Sequence, residues 1–117
     1  MSKDIKVHVG GSFDQAASRF IDAWHRAEAG DPVSEEHLTF VDWEAFARTM
    51  TGKRLELLRY LHRHPQDSVA ALARSLKRDY RRVHEDVEIL TAAGLINRDG
   101  LALTAGYDEI RTVIALG

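Results

Sequence analysis

Residues Ser68–Gly100 read SVAALARSLKRDYRRVHEDVEILTAAGLINRDG, and the order of signals within them decides the fold. Ser68 stands where a helix cap belongs, and Val69, Leu72, Ala73 and Leu76 follow at steps of three and four, the period of an amphipathic helix. Lys77–Asp79 then form a tight turn. Beyond it Tyr80, Val83, Val87 and Leu90 again recur at helical spacing, which predicts a second, longer helix. Gly94 ends that helix as a left-handed cap. LINR and LALT flank an Asp-Gly pair at positions 99 and 100, the signal of a hairpin. Four basic side chains, Lys77, Arg78, Arg81 and Arg82, crowd into the seven residues that start at Leu76.

Immediately upstream, GKRLELLRYLHRH carries Leu55, Leu58 and Leu61 in register, with Pro65 just past its end. Helix, short helix, tight turn, longer helix, hairpin is the order of a winged helix-turn-helix. The charge distribution agrees. Met1–Gly52 has five Lys/Arg against nine Asp/Glu, Lys53–Arg82 has nine against three, and Val83–Gly117 has two against six. A formal net charge of −2 therefore conceals a strongly basic centre, as a surface that meets a polyanion requires. Val83, Val87 and Leu90 face inward on this reading, so Arg81, Arg82 and Glu85 point outward. Residues at the start of a recognition helix reach base edges in the major groove, where arginine pairs with guanine and glutamate accepts from cytosine. The expected base-contacting residues are Arg78, Arg81, Arg82 and Glu85. Arg74, Lys77, Tyr80, His84 and Arg98 are expected on the DNA backbone, Arg98 from the wing. Glu85, Asp86 and Glu88 repel phosphates and mark where the helix leaves the groove, with acceptance from a cytosine amino group the alternative for Glu85.

The first fifty residues form a different kind of block. IKVHV, Ile5–Val9, alternates like a half-buried strand. Ser12 and Gln15 make a capping box for a helix whose inner face would carry Phe13, Ala16, Ala17, Phe20, Ile21 and Trp24, ending at Gly30 and Pro32. EEHLTFV reads as a second strand and DWEAFARTM as a short helix capped by Asp42. The tail YDEIRTVIAL, rich in β-branched residues, reads as strand. The expected fold is α+β, with residues 1–50 an extension and residues 51–117 the winged helix-turn-helix domain. A strand-helix-strand piece of about 40 residues cannot bury its faces alone. Phe20, Trp24, Phe40, Trp43 and Phe46 are expected to be buried, and the extension is expected to form a homodimer.

Other chemistries lack their motifs. There is no cysteine, hence no disulfide framework and no thiolate chemistry. His62 and His64 lie two apart on different helix faces, with no His-Glu-x-x-His pattern and no third ligand at a telling spacing, so no metal is expected. GGSFD lacks the rest of a dinucleotide or P-loop signature. No catalytic constellation emerges, and the reading is of a non-enzyme without cofactor. The charged start and the absence of a run of roughly 18 apolar residues point to a cytoplasmic protein that does not span a membrane.

Ser68–Gly100 resembles the DNA-binding core of ArsR-like and MarR-like winged-helix regulators, most clearly in its LTAAGLI ending. HLTFVDWEAFARTMTGKRLELLRYLHRHP and YDEI extend the similarity, over Glu36–Leu116, to a prokaryotic group of small regulators, some of them antitoxins encoded beside a small toxin. The expected partner is double-stranded DNA, and a two-fold dimer implies a pseudo-palindromic site. The resemblance implies a second role, an antitoxin that masks a cognate toxin and represses its own operon. A third reading is a winged helix that mediates protein contacts without binding DNA. The lack of cysteine separates the chain from thiolate metal sensors of the ArsR kind.

Overall fold

The computed structural model describes residues 3–11, 21, 24 and 36–116. The chain is α+β and divides into two compact units, Asp4–Phe46 with Glu109–Gly117, and Met1–Lys3 with Ala47–Asp108.

The first unit is built on three strands, β1 (Asp4–Val9), β2 (Glu36–Phe40) and β5 (Glu109–Ile114). They form one parallel sheet in the order β2-β1-β5, with Val7 opposite Leu38 on one side and Thr112 on the other. In the central strand β1, Ile5, Val7 and Val9 are buried on one face, while on the other Lys6 is exposed and His8 is buried, stacked on His37. That is the half-buried alternation its sequence suggests, with His8 the one departure. Gly10 leaves the strand at φ 78°, and its N–H donates to the Phe40 carbonyl at 3.0 Å. The short helix α1 (Trp43–Thr49) is capped by Asp42, whose Oδ1 accepts from the Ala45 N–H at 2.8 Å. Phe46 packs edge-on against Phe40 and tilted against Trp43.

Two expectations for this unit change. The sequence places residues 109–114 in the second block, but pairing with β1 takes them into the first, where they satisfy the second edge of β1. The expected burial of the aromatics also fails in part, since Trp24 and Trp43 are each more than half exposed. Ile21 and Trp24 are helical, as expected, but Ile21 too is exposed rather than inward-facing. The rest of that helix, with Phe13, Phe20 and the Ser12 cap, lies outside the described residues.

The second unit contains α2 (Gly52–Arg63), α3 (Val69–Leu76), α4 (Tyr80–Ala92) and the hairpin β3 (Asn97–Asp99) with β4 (Ala102–Thr104). Each helix starts on a side-chain cap. Thr51, Ser68 and Asp79 accept from the backbone N–H groups of Arg54, Ala71 and Arg82. Leu57, Leu61, Leu72, Val83, Val87, Leu90, Ile96 and Leu103 are the fully buried centre. Leu55, expected inside, is 40% exposed, and Leu57 takes its place. Tyr80 likewise leaves the expected stripe and is exposed. Gly94, at φ 82°, ends α4 as expected. Gln66 pairs with Leu103 through reciprocal backbone bonds of 3.1 and 2.8 Å, tying the α2–α3 connection to the hairpin. The hairpin turns at Gly100 and Leu101, one residue later than the Asp-Gly reading, because Asp99 still pairs with Ala102. Gly100 has φ 63°, as the first position of a type II′ turn demands.

Candidate nucleic-acid interface

The α3–turn–α4 segment presents its charges in two distinct ways. Arg74, in the last turn of α3, Lys77 in the connection, and Arg81 and Arg82 in the first turn of α4 are all exposed. None of the four forms an ion pair among the described residues. Glu85 and His84 are exposed one turn further along α4, and His84 sits beside Tyr80 and 3.7 Å from Glu88. Seven of the nine expected contact residues therefore have side chains directed to solvent with no strong internal partner.

Lys77 has a further peculiarity. Its backbone is left-handed, φ 55° and ψ 46°, and it is the one non-glycine residue with positive φ among those described. Its N–H closes α3 by donating towards the carbonyls of Ala73 and Arg74. Glycine is the residue that ordinarily takes such a position, because a Cβ strains against the following carbonyl. A lysine here keeps a positive charge at the point where the chain reverses, in a conformation glycine would adopt more easily.

The other two expected contacts are engaged inside the molecule. Arg78 was expected to face bases, but its Nη2 donates to Asp86 Oδ2 at 2.9 Å. Asp86, expected at the groove margin, is buried on the inner face of α4, in line with Val83 and Leu90. Its Oδ1 accepts from Arg54 Nε at 2.9 Å, and Arg54 Nη1 donates on to the carbonyls of Arg48 and Thr49. Desolvating a carboxylate is unfavourable unless it is paired, and here each oxygen has an arginine. Arg98, expected to reach the DNA backbone from the wing, is held by Glu88 Oε1 at 2.7 Å, which fastens the hairpin to α4. With Arg98 engaged, the hairpin tip consists of Asp99, Gly100 and an exposed Leu101, and it carries no free cation.

The helix dipole adds to the exposed set. The N-terminus of α4 carries partial positive charge from its unpaired N–H groups, although Asp79 takes up that of Arg82. Elsewhere His62 donates Nδ1–H to the Ala105 carbonyl at 2.6 Å and sits 3.0 Å from Asp108 through Nε2. Asp108 Oδ2 also accepts the Lys3 N–H at 2.9 Å. The Lys3 bond first, then the neighbouring His62, hold the Asp108 carboxyl below the usual aspartate value against an opposing desolvation effect. Among the described residues no group of three or more His, Asp or Glu is arranged to hold a metal ion. No helix among them is long and apolar enough to cross a membrane.

A family model, described only as HVO_A0114, matches residues 49–112. No curated protein matches, and no solved structure does.

Proposed function

We propose that this chain, which belongs to the HVO_A0114 family by a match over more than half its length, is a sequence-specific double-stranded DNA-binding transcriptional regulator. Its second unit is read as a winged helix-turn-helix. In that reading α3 and α4 are the helix-turn-helix pair, α4 is the recognition helix, and β3–β4 is the wing. The observation that carries the reading is the cluster of four unpaired cations, Arg74, Lys77, Arg81 and Arg82, gathered around the α3–α4 turn. Arg81, Arg82 and Glu85 are assigned to base edges, and Arg74 and Lys77 to phosphates. Tyr80 and His84, exposed beside them, suit backbone contacts. Arg98 is withdrawn from the contact set.

The protein acts as a homodimer in this proposal, joined through the first unit, and represses its own transcription from a pseudo-palindromic site. Val41, Trp43, Val113 and Ile114 expose large apolar surface there, which supports a protein partner of some kind for that unit. The same exposed residues support a second reading, an antitoxin that binds a cognate toxin through its first unit. The two differ in what must be present for those side chains to be covered.

The test is binding of the purified protein to its own upstream DNA, titrated across salt with a scrambled competitor. The expected result is an affinity that survives the competitor and falls steeply with salt. Binding without preference over the competitor would overturn the regulator reading and leave the protein-partner one.

A further inference from the structure

Asp86 is an anomaly on an otherwise apolar face. It lies between Val83 and Leu90 on the inside of α4, is 7% exposed, and has both carboxylate oxygens engaged by different arginines. Those arginines come from separate elements, Arg54 from the first turn of α2 and Arg78 from the turn between α3 and α4. Arg54 carries the connection further by donating to the carbonyls at positions 48 and 49, the end of α1. One carboxylate thus joins α2, the α3–α4 turn and α4, and its partners reach the end of α1.

Well-packed apolar side chains at such a place would hold the elements together as firmly as a buried ion network. What a network adds is direction. A carboxylate satisfied by two fixed guanidinium groups admits one arrangement of the segments that carry them, whereas apolar surfaces slide. The segment so constrained is the one next to Arg81 and Arg82, whose reach depends on the angle of the first turn of α4.

We infer that Asp86 and Arg78 are positioning residues for the DNA-facing end of α4. Arg78 reads no base and neutralises no phosphate. It locks the turn to Asp86, and that lock sets how Arg81 and Arg82 are presented. The inference rests on the DNA-binding reading, and it deepens that reading by moving specificity one step away from the residues that touch DNA.

Two measurements on Arg78→Ala test it, with Arg78→Lys as the conservative variant. The first needs no DNA. Amide hydrogen exchange is expected to quicken at least about tenfold at Arg82 and Val83, whose N–H groups donate to Asp79, and to stay unchanged at Leu58 and Leu61 in α2. Arg78→Lys, which keeps one charged bond to Asp86, is expected to recover part of the protection. The second is the operator-over-scrambled affinity ratio with its salt dependence. Arg78→Ala is expected to lower that ratio at least about fivefold, with the loss spread over all base positions. The salt slope and the affinity for scrambled DNA are expected to stay as in the wild type.

Unaltered exchange at the start of α4 would overturn the inference. So would relaxation at a single position of each half-site, the mark of a base contact, or a dimer's salt slope smaller by about two units, the mark of one phosphate contact per protomer. A wild-type chain with no sequence preference would overturn the DNA-binding reading, and the exchange measurement would still decide whether Asp86 and Arg78 fix the turn.

Discussion

At the scale of single residues, Lys77 separates folding from function more cleanly than any arginine. A non-glycine residue in the left-handed region carries strain of about 1 kcal/mol, and glycine there loses a similar amount through its freer unfolded chain. Lys77→Gly should therefore leave thermal stability within about 1 kcal/mol of the wild type. DNA affinity should fall on every sequence alike, with a salt slope smaller by about two units for a dimer, one phosphate contact being lost from each protomer. A melting curve beside a salt titration checks both. Arg82→Ala and Val87→Ala make the opposite pair. Arg82 is exposed, so its loss should relax one base position by about 1–3 kcal/mol and spare the fold. Val87 is fully buried, so its truncation should lower unfolding free energy by about 1–3 kcal/mol, read from denaturant midpoints. Period alone made Arg81, Arg82 and Glu85 legible as outward-facing. The same period puts Asp86 three residues after Val83 and four before Leu90, yet its charge reads as groove margin, because hydropathy argues against a buried aspartate. The missing information was its partner. Arg54 is 32 residues away in the chain, and no local pattern announces that the two meet.

At the scale of elements, the helices were readable because each carries its own cap and stripe, whereas strand pairing depends on distant chain. The β-branched tail announces a strand at 109–114 but not which neighbour it joins. Parallel pairing with β1 spans about a hundred residues of sequence, and only the fold brings those segments together. The Gln66–Leu103 bridge was invisible for the same reason. The join at the start of β5 has a chemical handle. Asp108 accepts the Lys3 N–H and faces His62, and its folded carboxyl stays ionised to lower pH than an ordinary aspartate. A depressed carboxyl contributes stability that is present above the unfolded-state value and lost as pH falls through the folded one. Asp108→Asn should then be less stable than the wild type at neutral pH. The gap should close as the pH drops below the ordinary aspartate range. Urea midpoints of both proteins across pH 2–7, an interval chosen to bracket the aspartate value of about 3.9, decide it. A gap independent of pH would assign the loss to packing rather than charge.

At the scale of the whole molecule, the division of free and engaged cations sets a number that binding must respect. Each chain offers four cations outside ion pairs around the α3–α4 turn, while Arg54, Arg78 and Arg98 are already committed to carboxylates. A phosphate contact contributes about −0.9 to the slope of log affinity against log salt on double-stranded DNA. If Arg74 and Lys77 alone meet phosphates, a dimer neutralises four and the slope is about −4. If Arg81 and Arg82 join them, the dimer neutralises eight and the slope is about −7. A monomer gives half of either. The expected outcome for a dimer on two half-sites about 34 Å apart is a slope between those limits, measured alongside sedimentation at the same protein concentration. A slope steeper than about −7 would require further cations, and Arg98 released from Glu88 is the nearest source. In that case the hairpin would move on binding, and Glu88→Gln, which frees Arg98 beforehand, should tighten binding at low salt. A slope shallower than about −4 with a sedimenting dimer would mean that only one protomer engages the duplex. Symmetric half-sites would then be excluded even if sequence preference survived.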